Sequence, residues 1–189
     1  MITIQEKKAS LRKVLKEKRS KILNRDYEYK CNQIEQLLLP FINDQKFEFI
    51  HCFVSMNKKF EVNTHPIIED LLSKGKTVIV PVMNGDELVH SKINSTNELV
   101  KNTLGILEPK ENLKIDTRRI DLILVPLLGV DIRGNRLGYG KGYYDKFLQT
   151  AEALKIGLAF EEFVLDEIPS EKHDVKLDGF ITEKGVRLL

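Results

Sequence analysis

Near the start of the chain Leu11, Val14, Leu15 and Ile22 recur at helical spacing. Lys7, Lys8, Arg12, Lys13, Lys16, Lys18, Arg19 and Lys21 fill the positions between them, so the first 23 residues are predicted to form an amphipathic helix with a basic outer side. A second helix is expected after Asp26, with Cys31, Ile34, Leu37 and Leu38 inward and Pro40 near its end. Phe47 to Val54 is rich in β-formers and is predicted as a strand. Thr64 and Pro66 start a helix carrying Ile67, Ile68, Leu71 and Leu72, which Gly75 ends. Thr77 to Val82 forms the next predicted strand, and the turn signal Asn84-Gly85-Asp86 folds Glu87 to Ile93 back beside it. Ser95-Thr96-Asn97-Glu98 has the form of a capping box for a short helix.

Ile120 to Val125 is almost uninterruptedly apolar, the pattern of a strand covered on both faces. A helix from Gly142 to about Ala153, a strand at Lys155 to Phe160 and a last strand at Gly179 to Thr182 complete the pattern. Strands alternating with helices predict one α/β domain over residues 1–189, a mainly parallel central sheet with helices on both faces. In such sheets ligands sit beyond the carboxyl ends of the strands, which directs attention to the loop after Val125.

Composition narrows the function. A hydrophobic share of 42% against 31% charged residues allows a packed core, and 189 residues fit one ordinary domain. The net charge of +2 gives no ground for a nucleic-acid partner. Cys31 and Cys52 match no metal or redox spacing and read as reduced thiols inside a cytoplasmic protein. Leu122 to Val130, the longest apolar run, contains Pro126 and is too short to span a bilayer, so no membrane partner is expected. The N-terminal residues lack a secretory apolar core. His51, His65, His90 and His173 show no spacing that would build a zinc site.

The chemistry concentrates in Gly134 to Asp145, within Asp131-Ile132-Arg133-Gly134-Asn135-Arg136-Leu137-Gly138-Tyr139-Gly140-Lys141-Gly142-Tyr143-Tyr144-Asp145. Glycines at alternate positions let the backbone approach a ligand and aim several N–H groups at it. A helix starting near Gly142 adds its positive end. Arg136 supplies a forked cation and Lys141 a mobile one, while Asp145 offers the hard oxygen that a nucleotide-bound magnesium requires. The stretch is neither a Walker A sequence nor a dinucleotide fingerprint. From these residues alone a kinase, a sugar-phosphate isomerase, a non-catalytic nucleotide- or RNA-binding regulator, or a solvated glycine turn all remain open.

Arg133 to Asp145 closely resembles the signature of the 5-formyltetrahydrofolate cyclo-ligase family, and Leu124-Val125-Pro126 with Gly129-Val130-Asp131 fits that family's strand and turn. Lys8-Ala9-Ser10-Leu11-Arg12 matches the family's Lys-x-x-Leu-Arg, which implies contact with ATP; Ser55-Met56 and Glu61-Val62 match its folate-lining region. His173-Asp174 and Leu177-Asp178 match an acidic segment in which an aspartate joins a magnesium site. The loop Asn57 to Phe60 departs from any fixed pattern.

The resemblance implies an ATP site over Lys8, Ala9, Ser10, Leu11, Arg12, Arg136, Leu137, Gly138, Tyr139, Gly140, Lys141, Gly142, Tyr143 and Tyr144. It implies a folate site at Met56, Glu61, Tyr139, Gly140, Lys141, Gly142 and Tyr143, catalytic roles for Lys141, Arg136 and Tyr143, and magnesium at Asp145 and Asp174. Each residue also has a plainer reading: Lys8 and Arg12 as a solvated helix face, Met56 as packing, Glu61 as a surface acid, Tyr143 and Tyr144 as helix-to-sheet filler. The implied reaction closes 5-formyltetrahydrofolate, polyglutamylated or not, to 5,10-methenyltetrahydrofolate and releases ADP and phosphate. A cytoplasmic monomer is expected.

Overall fold

The computed structural model describes residues 2–103 and 105–189. Helix α1 (Ile4–Arg19) starts at Thr3, whose side chain accepts from the Glu6 N–H while Glu6 returns the bond to the Thr3 backbone. This reciprocal cap satisfies two of the donors that every helix start leaves open. Helix α2 (Asn24–Asp44) follows, then strand β1 (Phe49–Cys52), helix α3 (His65–Ser73) and the hairpin of β2 (Thr77–Asn84) and β3 (Glu87–Ile93). Short strands β4 (Leu99–Lys101), β5 (Leu107–Pro109) and β6 (Leu113–Lys114) lead to β7 (Leu122–Val125). Next come β8 (Gly129–Asp131), β9 (Arg136–Leu137), α4 (Tyr143–Thr150), β10 (Leu154–Leu158), β11 (Val164–Leu165), β12 (Gly179–Thr182) and β13 (Gly185–Leu188).

Eight of these strands form one sheet in the order β13-β12-β10-β7-β1-β2-β3-β6. Its middle, β12 to β2, is parallel, and β13, β3 and β6 join antiparallel at the two edges. The parallel centre is the part that needs cover on both faces, and β7 shows it. Leu122 and Leu124 enter the core beneath α2 and α3, whereas Ile123 and Val125 enter the opposite core with Phe147 and Leu148 of α4. All four are fully buried, each contributing roughly 1.5–3 kcal/mol relative to exposure.

Most expected elements appear, with shifted limits. The first helix ends at Arg19 rather than near residue 23. Its inward stripe also differs: Val14 is exposed, while Lys8 and Arg19, assigned to the basic outer side, are buried with Leu15. The reason is tertiary, because α1 covers a polar loop instead of an apolar sheet face. The α4 helix stops at Thr150, and Ser95 opens a single 3₁₀ turn (Thr96–Glu98) rather than a helix. The short sheets β11-β8-β9 and β4-β5 lack a periodic signature long enough to read from sequence.

Candidate active site

The turn from β8 into the glycine loop is built on Asp131, which has no solvent exposure. Its carboxylate accepts from the N–H groups of Arg133 and Asn135, both at 2.9 Å, from the Asn135 amide at 2.8 Å and from the Ile168 N–H at 2.9 Å. Four donors satisfy a buried charge that would otherwise be expensive. Gly134 lies at φ +80°, and a Cβ there would meet the Leu177 carbonyl at 2.7 Å, so a side chain is excluded. Asp131 and Asn135 hold the turn in shape rather than facing a ligand, and the local signal for this role is a carboxylate three residues before a glycine.

The loop emerges into a cleft of about 830 Å³, within the usual range for small-molecule sites. Helix α1 forms one wall with Lys8, Arg12 and Lys16, which are spaced four apart and so share a face. Arg12 Nε donates to the Gly138 carbonyl at 2.9 Å. Gly140 is at φ +97°, and a Cβ there would lie 3.2 Å from the Arg12 guanidinium carbon, so glycine permits this close approach. Ala9 and Ser10 are exposed and Leu11 packs toward the core; none of the three lines the cleft. Leu137, Gly138, Tyr139, Gly140, Lys141 and Gly142 do line it. Lys141 is exposed and has no hydrogen-bond or ion-pair partner among the described residues.

Both expected metal ligands face the cleft, each matched to a cation of the chain. Arg136 Nη2 lies 2.6 Å from Asp145 Oδ1, with the Arg136 side chain 4% exposed. Lys8 Nζ lies 2.5 Å from Asp174 and 3.0 Å from Glu171, its side chain 5% exposed. Burial opposes ionisation of Asp174, but hydrogen bonds from Lys8 and the Glu171 N–H, with the Lys8 charge, hold its carboxyl below the ordinary value. Glu171, His173 and Asp174 bring donor atoms within 4.8 Å of one another. His173 therefore has neighbours that its spacing did not foretell, and Asp145 is not among them.

The opposite wall is apolar, supplied by Phe53, Met56, Pro81, Met83 and Leu88. Met56 donates its N–H to Glu61 Oε2 at 2.6 Å, and Glu61 is 7% exposed and lines the cleft, so it is not a surface acid. Burial, with the Glu61 carboxylate nearby, pushes the Tyr139 phenol far up, so it stays protonated. The Tyr143 hydroxyl donates to the Gly85 carbonyl at 3.1 Å, and Lys146 Nζ to the Asp86 carbonyl at 3.1 Å, tying α4 to the hairpin tip. The Tyr144 hydroxyl is buried with no partner among the described residues, and burial raises it strongly. Behind it His51 and His90 meet at 3.2 Å between ring nitrogens, with the Phe147 ring 4.0 Å from that of His90. Burial lowers both imidazoles, His90 to about 4.

No helix among the described residues is long and apolar enough to cross a membrane. Comparison with known proteins agrees with this architecture. The chain is similar to a solved 5,10-methenyltetrahydrofolate synthetase of Aquifex aeolicus, at 31% identity over 96% of this chain and 92% of that one, with a TM-score of 0.87. A 5,10-methenyltetrahydrofolate synthetase from Mycoplasma pneumoniae aligns at 26% identity over 93% and 98% of the two chains, with a TM-score of 0.76. Among curated relatives, the 5-formyltetrahydrofolate cyclo-ligase of Mus musculus is 30% identical over 96% of each chain. The model of the 5-formyltetrahydrofolate cyclo-ligase family matches residues 4–183. With nearly its whole length matched, and the glycine loop, the basic helix and the paired aspartates gathered in one cleft, this chain belongs to the 5-formyltetrahydrofolate cyclo-ligase family.

Proposed function

We propose that this protein converts 5-formyltetrahydrofolate to 5,10-methenyltetrahydrofolate using ATP, within the cleft between the glycine loop and the β2–β3 hairpin. One observation carries the reading: a phosphate-type wall (Arg12, Gly138 to Gly142, Lys141) faces an apolar wall with a buried acid (Met56, Glu61) across a single cavity. The basic wall suits the phosphates of a nucleotide, and the apolar wall with its buried acid suits a flat heterocycle that carries hydrogen-bond donors.

The oxygen of a formamide is a very poor leaving group, so the neighbouring amine cannot expel it unaided. Transfer of the γ-phosphoryl group to that oxygen turns it into a phosphate ester of an imidate. The amine then attacks the formyl carbon, a C–N bond forms, and the C–O bond breaks with phosphate carrying away the electron pair. Enclosing amine and formyl carbon together makes the closure intramolecular and removes much of its entropic barrier. Phosphoryl transfer asks for alignment and charge stabilisation. Lys141 is free to reach the γ-phosphate, Arg12 lies beside the Gly140 backbone, and Arg136 stiffens the loop while facing the same cavity. Tyr139, Tyr143 and the Met56 wall orient the folate and exclude water from the reactive intermediate.

The carboxylates of Asp145 and Asp174 suit magnesium, because hard oxygens are its preferred donors and each now holds a cation of the chain. Bound there, magnesium would neutralise phosphate charge. The test follows the methenyl-folate absorbance after mixing the protein with 5-formyltetrahydrofolate and magnesium-ATP, with ADP and phosphate assayed in parallel. One ADP and one phosphate per methenyl product is the expected result. Product formation without ATP, or none with it, sinks the reading.

A further inference from the structure

Among the described residues the carboxylates lining the main cleft are those of Glu61, Glu108, Asp145 and Asp174, and they fall into two kinds. Asp145 and Asp174, on the phosphate side, each pair with a cation of the chain. Glu61 and Glu108 are held by main-chain N–H groups of methionines on the apolar wall: Met56 donates to Glu61 Oε2 at 2.6 Å and Met83 to Glu108 Oε1 at 2.8 Å. Glu61 also acts on the Tyr139 hydroxyl, beside the glycine loop. Glu108 stands apart from that loop. It lies on β5, opposite Val100 of β4, and reaches across to β2, where Met83 pairs with Leu88 of the hairpin. Among the described residues Glu108 forms no ion pair, and its second oxygen accepts no hydrogen bond. A carboxylate offers about four acceptor positions, and Met83 takes one of them. A charge set in an apolar wall with no cation beside it is an unmet demand for donors.

The ligand chemistry that meets this demand is an amino group beside a ring N–H, two parallel donors for one carboxylate. The pairing edge of adenine carries an amino group but no ring N–H, whereas a pterin carries both. In 5-formyltetrahydrofolate the formyl-bearing nitrogen and the side arm occupy one end of the bicyclic ring, and the 2-amino group occupies the other. The reactive end must meet the phosphoryl group at Lys141, so the 2-amino end is turned away from the glycine loop. We infer that Glu108 binds the 2-amino group and N3–H of the pterin ring and so selects the substrate by its far end, while Glu61 stays near the reactive end beside Tyr139. The assignment rests on the folate reading above.

Steady-state kinetics and calorimetric binding with 5-formyltetrahydrofolate and its 2-desamino-2-methyl analogue test it, in the wild type and in Glu108→Gln. The amide keeps an oxygen for the Met83 N–H and removes the charge. The wild type should favour the natural substrate over the analogue by roughly ten- to hundredfold in KM, the usual worth of hydrogen bonds to a charged group. Glu108→Gln should raise the KM for 5-formyltetrahydrofolate by a similar factor, change that for the analogue little, lower kcat far less and leave the KM for ATP unchanged. A KM raised equally for both folates makes Glu108 part of the packing of the wall and overturns the assignment. A raised KM for ATP, or GTP accepted by the wild type and refused by the variant, gives the carboxylate to the nucleotide base and overturns it as well. Unchanged KM values for both folates with turnover intact overturn the role of Glu108 and spare the folate reading. Failure of the wild type to bind or convert 5-formyltetrahydrofolate removes the folate reading and this role with it.

Discussion

Asp145 and Asp174 reach the same cleft by opposite routes. Asp145 pairs with Arg136, nine residues earlier, inside one loop. Asp174 pairs with Lys8, 166 residues away, so its position depends on the two ends of the chain docking together. Burial of the pairs is similar: 4% and 26% side-chain exposure for Arg136 and Asp145, 5% and 16% for Lys8 and Asp174. What separates them is the structure that must form first. The local pair needs only the turn organised by Asp131, while the distant one needs α1 laid across the glycine loop and the 171–174 turn laid against α1. A site whose halves have such different origins can be tested half by half.

The largest effect is expected at a residue outside both pairs. Lys141 has no partner among the described residues, so its removal should leave the fold intact. Lys141→Ala should lower kcat about a hundredfold or more, the cost of one lost charge contact in a transition state, with folate affinity and melting temperature nearly unchanged. Near-normal kcat would move catalysis away from the loop's free cation and toward the buried Arg136.

The comparison itself is sharpened by Asp145→Asn and Asp174→Asn. The amide keeps the shape and removes the charge, and each variant should need roughly tenfold more magnesium for half-maximal rate. If both carboxylates serve one ion, the double variant falls short of additivity. Magnesium titrations and thermal melts on the three variants decide this. A shift in Asp145→Asn alone would confine the metal to the loop and leave Asp174 as the anchor of Lys8.

The smallest effect separates these ion pairs from the core behind them. Burial lowers His90 from 6.5 to about 4, and burial with the neighbouring His90 holds His51 well below its ordinary value. Both stay neutral in the folded chain where they would already be protonated in the unfolded one. Their contribution to stability is therefore complete above pH 6.5 and declines from there down to about pH 4. Asp174, lowered from 3.8, keeps its contribution above that value, so it takes no part in the decline. Melting temperature against pH should fall across this window in the wild type and fall less in His90→Gln. An equal slope would assign the loss to other groups.

The alternation of Leu122, Ile123, Leu124 and Val125, the Asn84-Gly85-Asp86 turn and the glycine spacing of 134 to 142 are local signals, and they identified the parallel core, the hairpin and a loop that lines the cleft. Such features depend on backbone freedom and on the period of burial, both of which are properties of adjacent residues. Lys8 and Arg19 defeated the same reasoning, since a helix with eight scattered cations does not announce which will be buried. That was decided by the carbonyls of Leu127 and Leu128 for Arg19 and the carboxylates of Glu171 and Asp174 for Lys8, all more than a hundred residues away. Likewise the apolar wall from Pro81, Met83 and Leu88 is an ordinary strand pattern until the sheet places it opposite Lys141. Period and turn chemistry are written along the chain; the partner that satisfies a buried charge is set only when distant segments meet.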